Sequence, residues 1–269
     1  MTDLVRPNDL LRISPNDIHR MPDGRFRAVA AALLTMQQKD RRENQLLFYE
    51  PVNPRSMQFH ESSAHVRLIS GGNGSSKTES ALAEMVAKAT GIFPKSLAHL
   101  APAKFRGPIN CRMIVESLTT VLEPIILPKL QYWKWSGIPP QGGEHGHWGW
   151  VPRKCLKDGS WDRSYSSKLR ILTLICYDPK RPDKPIGESI VQCMSRDQDP
   201  EDFASGEYHE ILMDEPPTQA ILTESQARTM RGGGRITLAM AWPDDPAIPV
   251  DWLLDEVYER AKPGTEIER

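Results

Sequence analysis

The sequence predicts an α/β fold: a mainly parallel sheet flanked by helices. Three observations carry this. Residues 70–78 read Ser-Gly-Gly-Asn-Gly-Ser-Ser-Lys-Thr, between a short strand-like stretch at His65–Ser70 and a breaker-poor, helix-like stretch at Glu79–Ala89. Ile211-Leu212-Met213-Asp214-Glu215 is an apolar run ending in two carboxylates, the shape of a buried strand. Strand-like and helix-like segments alternate through most of the chain, which places a ligand site at the carboxyl edge of the sheet.

In chain order, residues 1–24 are polar with Pro7, Pro15, Pro22 and Gly24, the composition of an arm or small subdomain. Phe26 to Phe48 reads as a helix, apolar from Ala28 to Leu34 and charged after Lys39. Tyr49–Arg55 reads as extended, broken by Pro51 and Pro54. After the first strand, loop and helix, 94–108 is a connection and Asn110–Glu116 an apolar strand. Leu118–Leu130 reads as helical, with Pro124 and Pro128 starting or kinking helices. Residues 131–167 differ in kind: Trp133, Trp135, Trp148, Trp150 and Trp161 among many glycines and prolines suggest a lid-like insertion. Lys168–Cys176 and Ser189–Met194 read as strands, joined by a Pro/Lys-rich hairpin loop at 178–187. Asp197–Gly206 is an acidic loop and Ile211–Asp214 the buried strand. Gln219–Met230 is a helix stopped by Gly232-Gly233-Gly234, Arg235–Trp242 a strand, and Trp252–Ala261 a closing helix.

The 269 residues suit one large α/β domain or two small ones. A net charge of −1 makes no whole-chain case for nucleic acid, which leaves a local basic patch as the route to it. Cys111, Cys155, Cys176 and Cys193 are scattered without a C-x-x-C pair, which fits reduced thiols and argues against a zinc site. No apolar run approaches bilayer length and the N-terminus lacks a signal-peptide shape, so an intracellular protein without membrane partners is expected.

The loop at 70–78 has the makings of a phosphate-binding loop, in which backbone N–H groups wrap nucleotide phosphates. Gly71, Gly72, Asn73, Gly74, Ser75, Ser76, Lys77 and Thr78 are its candidate residues. Lys77 would reach the β/γ-phosphates of ATP and the Thr78 hydroxyl would hold Mg²⁺. Asp214 would join the Mg²⁺ shell and Glu215 would handle the attacking water. The spacing Gly-x-x-x-x-Gly-Lys-[Ser/Thr] is met at Gly71, Lys77 and Thr78, but Ser76 stands where the second glycine is expected. Alone, such a stretch also reads as a glycine-rich surface turn; the acidic strand tips the reading to a nucleotide triphosphatase. The fold class is then a P-loop NTPase sheet of the ASCE/RecA-like kind, with an N-terminal helical arm and a Trp-rich lid.

Several segments together resemble the ATPase domain of phage terminase large subunits. They are Phe59-His60-x-Ser62, then Arg67, then Gly71-Gly72-Asn73-x-Ser75-x-Lys77-Thr78; Ser195-Arg196-Asp197-Gln198-Asp199-Pro200-x-x-Phe203-x-x-Gly206 leading into Met213-Asp214-Glu215-Pro216-Pro217; and Thr237–Pro243, at the family's coupling motif. The resemblance spans about residues 45–262. It implies a motor that hydrolyses ATP with Mg²⁺ to drive double-stranded DNA into a procapsid. It implies as partners that DNA, a portal protein, a small terminase subunit and further copies of the chain in a ring. The implied location is the host cytoplasm and, transiently, the portal vertex. It places Gln58, near Tyr49, where the adenine is read, and Ala241-Trp242 where the γ-phosphate is sensed. Members often carry Arg where Gly74 stands and Gly where Ser76 stands, and Trp242 replaces a threonine. An arginine from a neighbouring subunit could supply the missing charge, with Arg228, Arg231 and Arg235 as candidates. The implied domains are an arm at 1–48, an ATPase domain at 49–262 with the lid at 131–167, and a linker at 263–269 toward a nuclease domain that this chain does not carry. A nucleotide-binding module with weak hydrolysis and a helicase-like ATPase are the competing readings.

Weaker signals have plainer readings beside them. His145 and His147 resemble a metal tract but fit a solvated loop, and the lid tryptophans fit pinning to the core better than base stacking. Lys154, Lys157, Arg163, Lys168, Arg170, Lys180, Arg181 and Lys184 make the middle basic, either as a solvated face or as a DNA or subunit contact. Asp197, Asp199, Glu201 and Asp202 read as a solvated acidic loop.

Overall fold

The expected strands assemble into one sheet in a computed structural model that describes residues 23–134, 146–242, 250–261 and 267–268. The chain divides into two units, Met1–Glu43 and Asn44–Arg269. The described part of the first is a single helix, α1 (Asp23–Glu43), which ends short of the expected Phe48. In the second unit Gln45–Phe48 forms a separate 3₁₀ turn with Leu46 buried.

The described strands of the second unit are β1 (Val66–Ser70), β2 (Asn110–Val115), β3 (Tyr132–Lys134), β4 (Gly146–Trp148), β5 (Tyr165–Ser166), β6 (Ile171–Asp178), β7 (Arg181–Ser195), β8 (Glu210–Asp214), β9 (Arg235–Met240) and β10 (Ile267–Glu268). Eight of them form one sheet in the order β10-β1-β9-β8-β2-β7-β6-β5. Neighbours from β10 to β7 are parallel, while β6 and β5 join antiparallel. β9 stands between β1 and β8, so the loop strand and the acidic strand are one strand apart. β3 and β4 pair separately as a small antiparallel ribbon.

Strands buried on both faces read as continuous apolar runs, and the side chains show why. Leu212 packs on the same side as Cys111, Met113 and Val115, against Leu82, Met85, Val86 and Ala89 of α3 (Lys77–Thr90). Ile211 and Met213, pointing the other way, join Ile114 and pack against Ile221 and Leu222 of a helix at Gln219–Met230. Each fully buried aliphatic side chain contributes about 1.5–3 kcal/mol. The result is a helix–sheet–helix stack, an α/β fold with its parallel strand ends gathered at one edge. Gly91 closes α3 at φ 71, where a Cβ would meet the Tyr177 carbonyl at 1.9 Å, so the helix end is pressed onto β6.

Three local expectations are corrected. Pro54 does not break the chain; it opens a helix, α2 (Pro54–Glu61), whose N-cap Asn53 accepts from the Ser56 N–H at 2.9 Å. The expected loop at 178–187 is mostly strand, because β7 begins at Arg181 and pairs back on β6 through Asp178↔Arg181 and Tyr177↔Pro185. The strand expected from Lys168 starts at Ile171, since Arg170 has φ 56 and Leu169 is 62% exposed.

Candidate nucleotide site

β1 ends at Ser70 and α3 begins at Lys77, which puts the glycine loop on the edge where parallel strand ends and helix N-termini converge. Within it the Ser75 N–H donates to the Gly72 carbonyl (3.3 Å) and the Ser80 N–H to the Ser76 carbonyl (3.0 Å), so the chain turns once and enters the helix. Gly74 has φ 77 and open space around its Cβ position; the backbone conformation, not crowding, calls for glycine. Ser76 has φ 63 and ψ 23. The consensus glycine at this position therefore has a backbone reason as well as one of clearance. A left-handed conformation costs a residue with a Cβ about 1–2 kcal/mol.

Gly72, Asn73, Gly74 and Ser75 are exposed and Gly71 is half-buried. Lys77 is buried, and its Nζ bends over the loop to the carbonyls of Gly71 (2.8 Å) and Gly72 (3.0 Å). Phosphate oxygens entering the loop would compete for that charge. Thr78 Oγ1 donates to Asp214 Oδ1 at 2.7 Å, joining residues from opposite ends of the domain. Asp214 is buried, and burial pushes its carboxyl up while the Thr78 bond and the charges of Lys129 and Lys77 oppose the shift. Two hard oxygen donors side by side suit Mg²⁺, which takes one or two protein oxygens and completes its shell with water and phosphate.

Glu215 follows at φ 74, like Ser76 a non-glycine residue of this edge in the left-handed region. Its N–H donates to the Ala239 carbonyl (2.9 Å), and its Oε2 accepts from the Ala241 N–H (3.2 Å). Half-burial pushes its carboxyl up; the Ala241 N–H opposes this, and the negative charge of Asp214 adds to it. The segment after β9 thus reaches Glu215 through main chain. Trp242 turns away onto Tyr258, edge to face at 5.5 Å.

Glu79, Lys129 and Arg196 of this edge carry no role in the sequence analysis, whereas Trp150 pins the insertion to the core as expected. Glu79 directly follows Thr78 and pairs with Lys129 (2.9 Å) through one oxygen while accepting from Trp150 Nε1 through the other. Trp150 also meets Tyr49 edge to face at 5.6 Å. Part of the Trp-rich insertion is therefore fastened to the first turn of α3. Arg196, one residue past β7, donates to the Pro216 carbonyl (3.0 Å) and pairs with Glu116. Its place at the end of a parallel strand is the signal that could have found it.

Other candidates fall elsewhere. Gln58 is exposed on α2, with no side-chain hydrogen bond to the loop among the described residues. Arg235 opens β9 at the far end of the sheet, Arg228 pairs with Glu224 (3.4 Å), and Arg231 meets Glu207 (3.7 Å); none approaches Glu215 within the chain. In the basic middle region Lys157, Arg163, Arg170 and Arg181 each meet a local carboxylate, as on a solvated face. His145 and Trp135, with the side chains of Trp133 and His147, lie outside the described residues. No helix among the described residues is long and apolar enough to cross a membrane.

The sequence matches no protein-family model and no curated protein. Its structure is similar to a phage terminase ATPase domain. One solved structure is an arginine-to-alanine variant of the Thermus phage P74-26 large terminase ATPase domain, at 16% identity and a TM-score of 0.45, covering 78% of this chain and 72% of that one. A second, the same phage's ATPase domain, gives 16% identity and a TM-score of 0.43 over 74% and 68% of the two chains.

Proposed function

We propose that this chain is an Mg²⁺-dependent ATPase, and that it serves as the ATPase part of a phage terminase large subunit, driving double-stranded DNA into a procapsid. The observation that carries the catalytic reading is the 2.7 Å bond between Thr78 and Asp214 at the mouth of a glycine loop, with Glu215 one residue on. The loop N–H groups and Lys77 would hold the β- and γ-phosphates, and Thr78 and Asp214 would hold Mg²⁺, which neutralises phosphate charge. Glu215, fixed by the Ala241 N–H, would orient the attacking water. Arg196 would brace the turn after Glu215 through Pro216. Gln58 is kept as the residue that would read the adenine.

The motor reading is supported by the segments that resemble terminases and by the main-chain link from Ala241 to Glu215, a route from the hydrolytic carboxylate to the rest of the chain. It brings as partners double-stranded DNA, a portal protein, a small terminase subunit and further copies of the chain in a ring, in the host cytoplasm and at the portal vertex. A second reading, a nucleotide-binding module with weak hydrolysis, draws on Ser76 in a left-handed conformation.

Steady-state ATP hydrolysis across protein concentrations, with Glu215→Gln as control, tests both. The motor reading expects turnover that rises more than linearly with concentration and falls on the order of 10²–10⁴-fold in the variant. ATP binding without turnover at any concentration would support the module instead. Wild-type activity in Lys77→Ala would remove the loop from consideration as the site.

A further inference from the structure

The end of the sheet opposite the loop carries a cluster of cations around a cavity lined by Lys88, Lys104, Arg106, His209, Glu210 and Arg235. Its positive charge outruns its negative. Glu84 receives Arg67 (2.7 Å), Lys88 (2.7 Å) and Lys104 (2.9 Å), and Glu210 receives Arg67 (3.0 Å) and Lys88 (2.8 Å). Two carboxylates thus serve three buried cations. The side chain of Arg235, half-buried, makes no hydrogen bond or ion pair among the described residues. Arg106 is tied to the carbonyls of Gly232 (3.0 Å) and Gly233 (2.7 Å), which place its charge without neutralising it. His209 Nδ1 accepts from the Asn110 N–H (3.1 Å), so the proton of the neutral ring sits on Nε2 as a donor.

The surplus shows in the groups themselves. Lys104 is held down to about 7, by burial first, against the pull of Glu84 and with the push of Arg67 and Lys88. Arg235 is lowered by burial and then by Arg67, against the pull of Glu210 and Glu84. Partly buried cations in excess of their anions are costly unless a further anion joins them.

We propose that this cavity is an oxyanion site that takes a phosphate group. A guanidinium, a buried ammonium and a ring N–H offer donors in several directions, which suits an anion with several oxygens better than a halide. The site lies at the opposite end of the sheet from the glycine loop and does not rest on the reading of that loop. The phosphate has two possible sources: the free inorganic ion, or a phosphodiester of a nucleic-acid backbone.

The test is thermal unfolding of the full chain carrying Lys77→Ala, which removes the loop's own phosphate-binding charge. Inorganic phosphate is titrated against chloride at matched ionic strength. Phosphate should raise the melting temperature, and adding Arg235→Gln should weaken the midpoint of that effect at least fivefold. The Arg235 side chain has no ion pair to lose and its charge is in excess, so the variant should melt at or above its parent when phosphate is absent. Arg106→Gln, on an exposed residue, gives the same reading should Arg235→Gln lower stability by itself. A short DNA duplex that displaces phosphate supports the site and assigns it to a backbone; phosphate binding indifferent to the duplex supports it as a site for the free ion. A phosphate effect unchanged by both variants, or none at all, overturns the proposal.

Discussion

Ser76 shows how one residue carries two separate costs. At φ 63 its Cβ meets the steric penalty of the left-handed region, and on the proposed function its side chain would stand where backbone approaches a phosphate. Ser76→Gly should therefore stabilise the protein by about 1 kcal/mol, a rise in melting temperature of roughly 2–4 °C for a domain of this size. Calorimetry checks it: a variant that melts at or below wild type would mean that the serine side chain contributes more than the conformation costs. Around that position the residues of the candidate site could be named from the sequence because the pattern looked for in a phosphate loop has fixed spacing. Lys77, Thr78, Asp214 and Glu215 are brought to one sheet edge as their order in the sequence suggested. Glu79 and Lys129 were not legible, and for Trp150 and Arg196 the partner was not. Each acts through a contact with a residue distant in sequence, and no local pattern marks such a partner.

Among the elements, α3 does two jobs: its N-terminus shapes the loop, and its first turn anchors the insertion through Glu79. The Glu79–Lys129 pair is partly exposed and contributes less than about 1 kcal/mol. The bond from Trp150 Nε1 to the same carboxylate is charge-assisted, in the range of about 1.5–3 kcal/mol. Trp150→Phe keeps most of the ring and removes the donor, so it should destabilise by about 1–2 kcal/mol in urea unfolding followed by circular dichroism. Glu79→Gln in the same background should then cost little more, because the two changes share one interaction. Fully additive losses would show that the indole does not depend on Glu79. Elements with an apolar face were readable: the Gln219–Met230 helix stands at its expected bounds and β8 is buried throughout. The misreadings have physical causes. Asn53-Pro54 looked like a break, yet a proline at the first helical position gives up no hydrogen bond. The start of β7 is exposed from Arg181 to Glu188, so no hydrophobic alternation announces it; pairing with β6 makes it a strand.

Across the whole second unit, the end of the sheet away from the loop is held by a buried polar network that no stretch of sequence displays. Arg67 leaves β1 on the α3 side and reaches Glu84, Glu210 and the Thr237 hydroxyl (2.7 Å), residues far apart along the chain. Glu84 also receives His60 Nδ1 (2.7 Å), and the Tyr49 hydroxyl bridges His60 Nε2 (2.8 Å) to Ser80 (2.9 Å). The carboxylate next to His60 fixes the ring proton on Nδ1, and burial lowers the affinity of the ring for a second proton. In this way α2, α3 and β1 converge on the Glu84 carboxylate, and Arg67 carries the network on to β8 and β9. Glu84 is itself fully buried, a position that opposes its ionisation, but the charges of Arg67, Lys88 and Lys104 overcome this and hold it well below the ordinary carboxylate range. A carboxylate with a depressed folded-state value contributes stability that is present above its unfolded value, near 4.3, and is lost as pH falls through the folded one. Glu84→Gln removes the charge while leaving three cations buried, so it should cost about 3–5 kcal/mol at pH 7. The gap between wild type and variant should then begin to narrow as the pH is taken below about 4, since the unfolded carboxyl takes up a proton there while the folded one, held lower, stays ionised. Urea unfolding of both proteins at pH 7, 5 and 3.5 measures that gap directly. A difference that stays constant over the whole range would mean that Glu84 holds the elements together by shape and hydrogen bonding alone, with its charge contributing nothing.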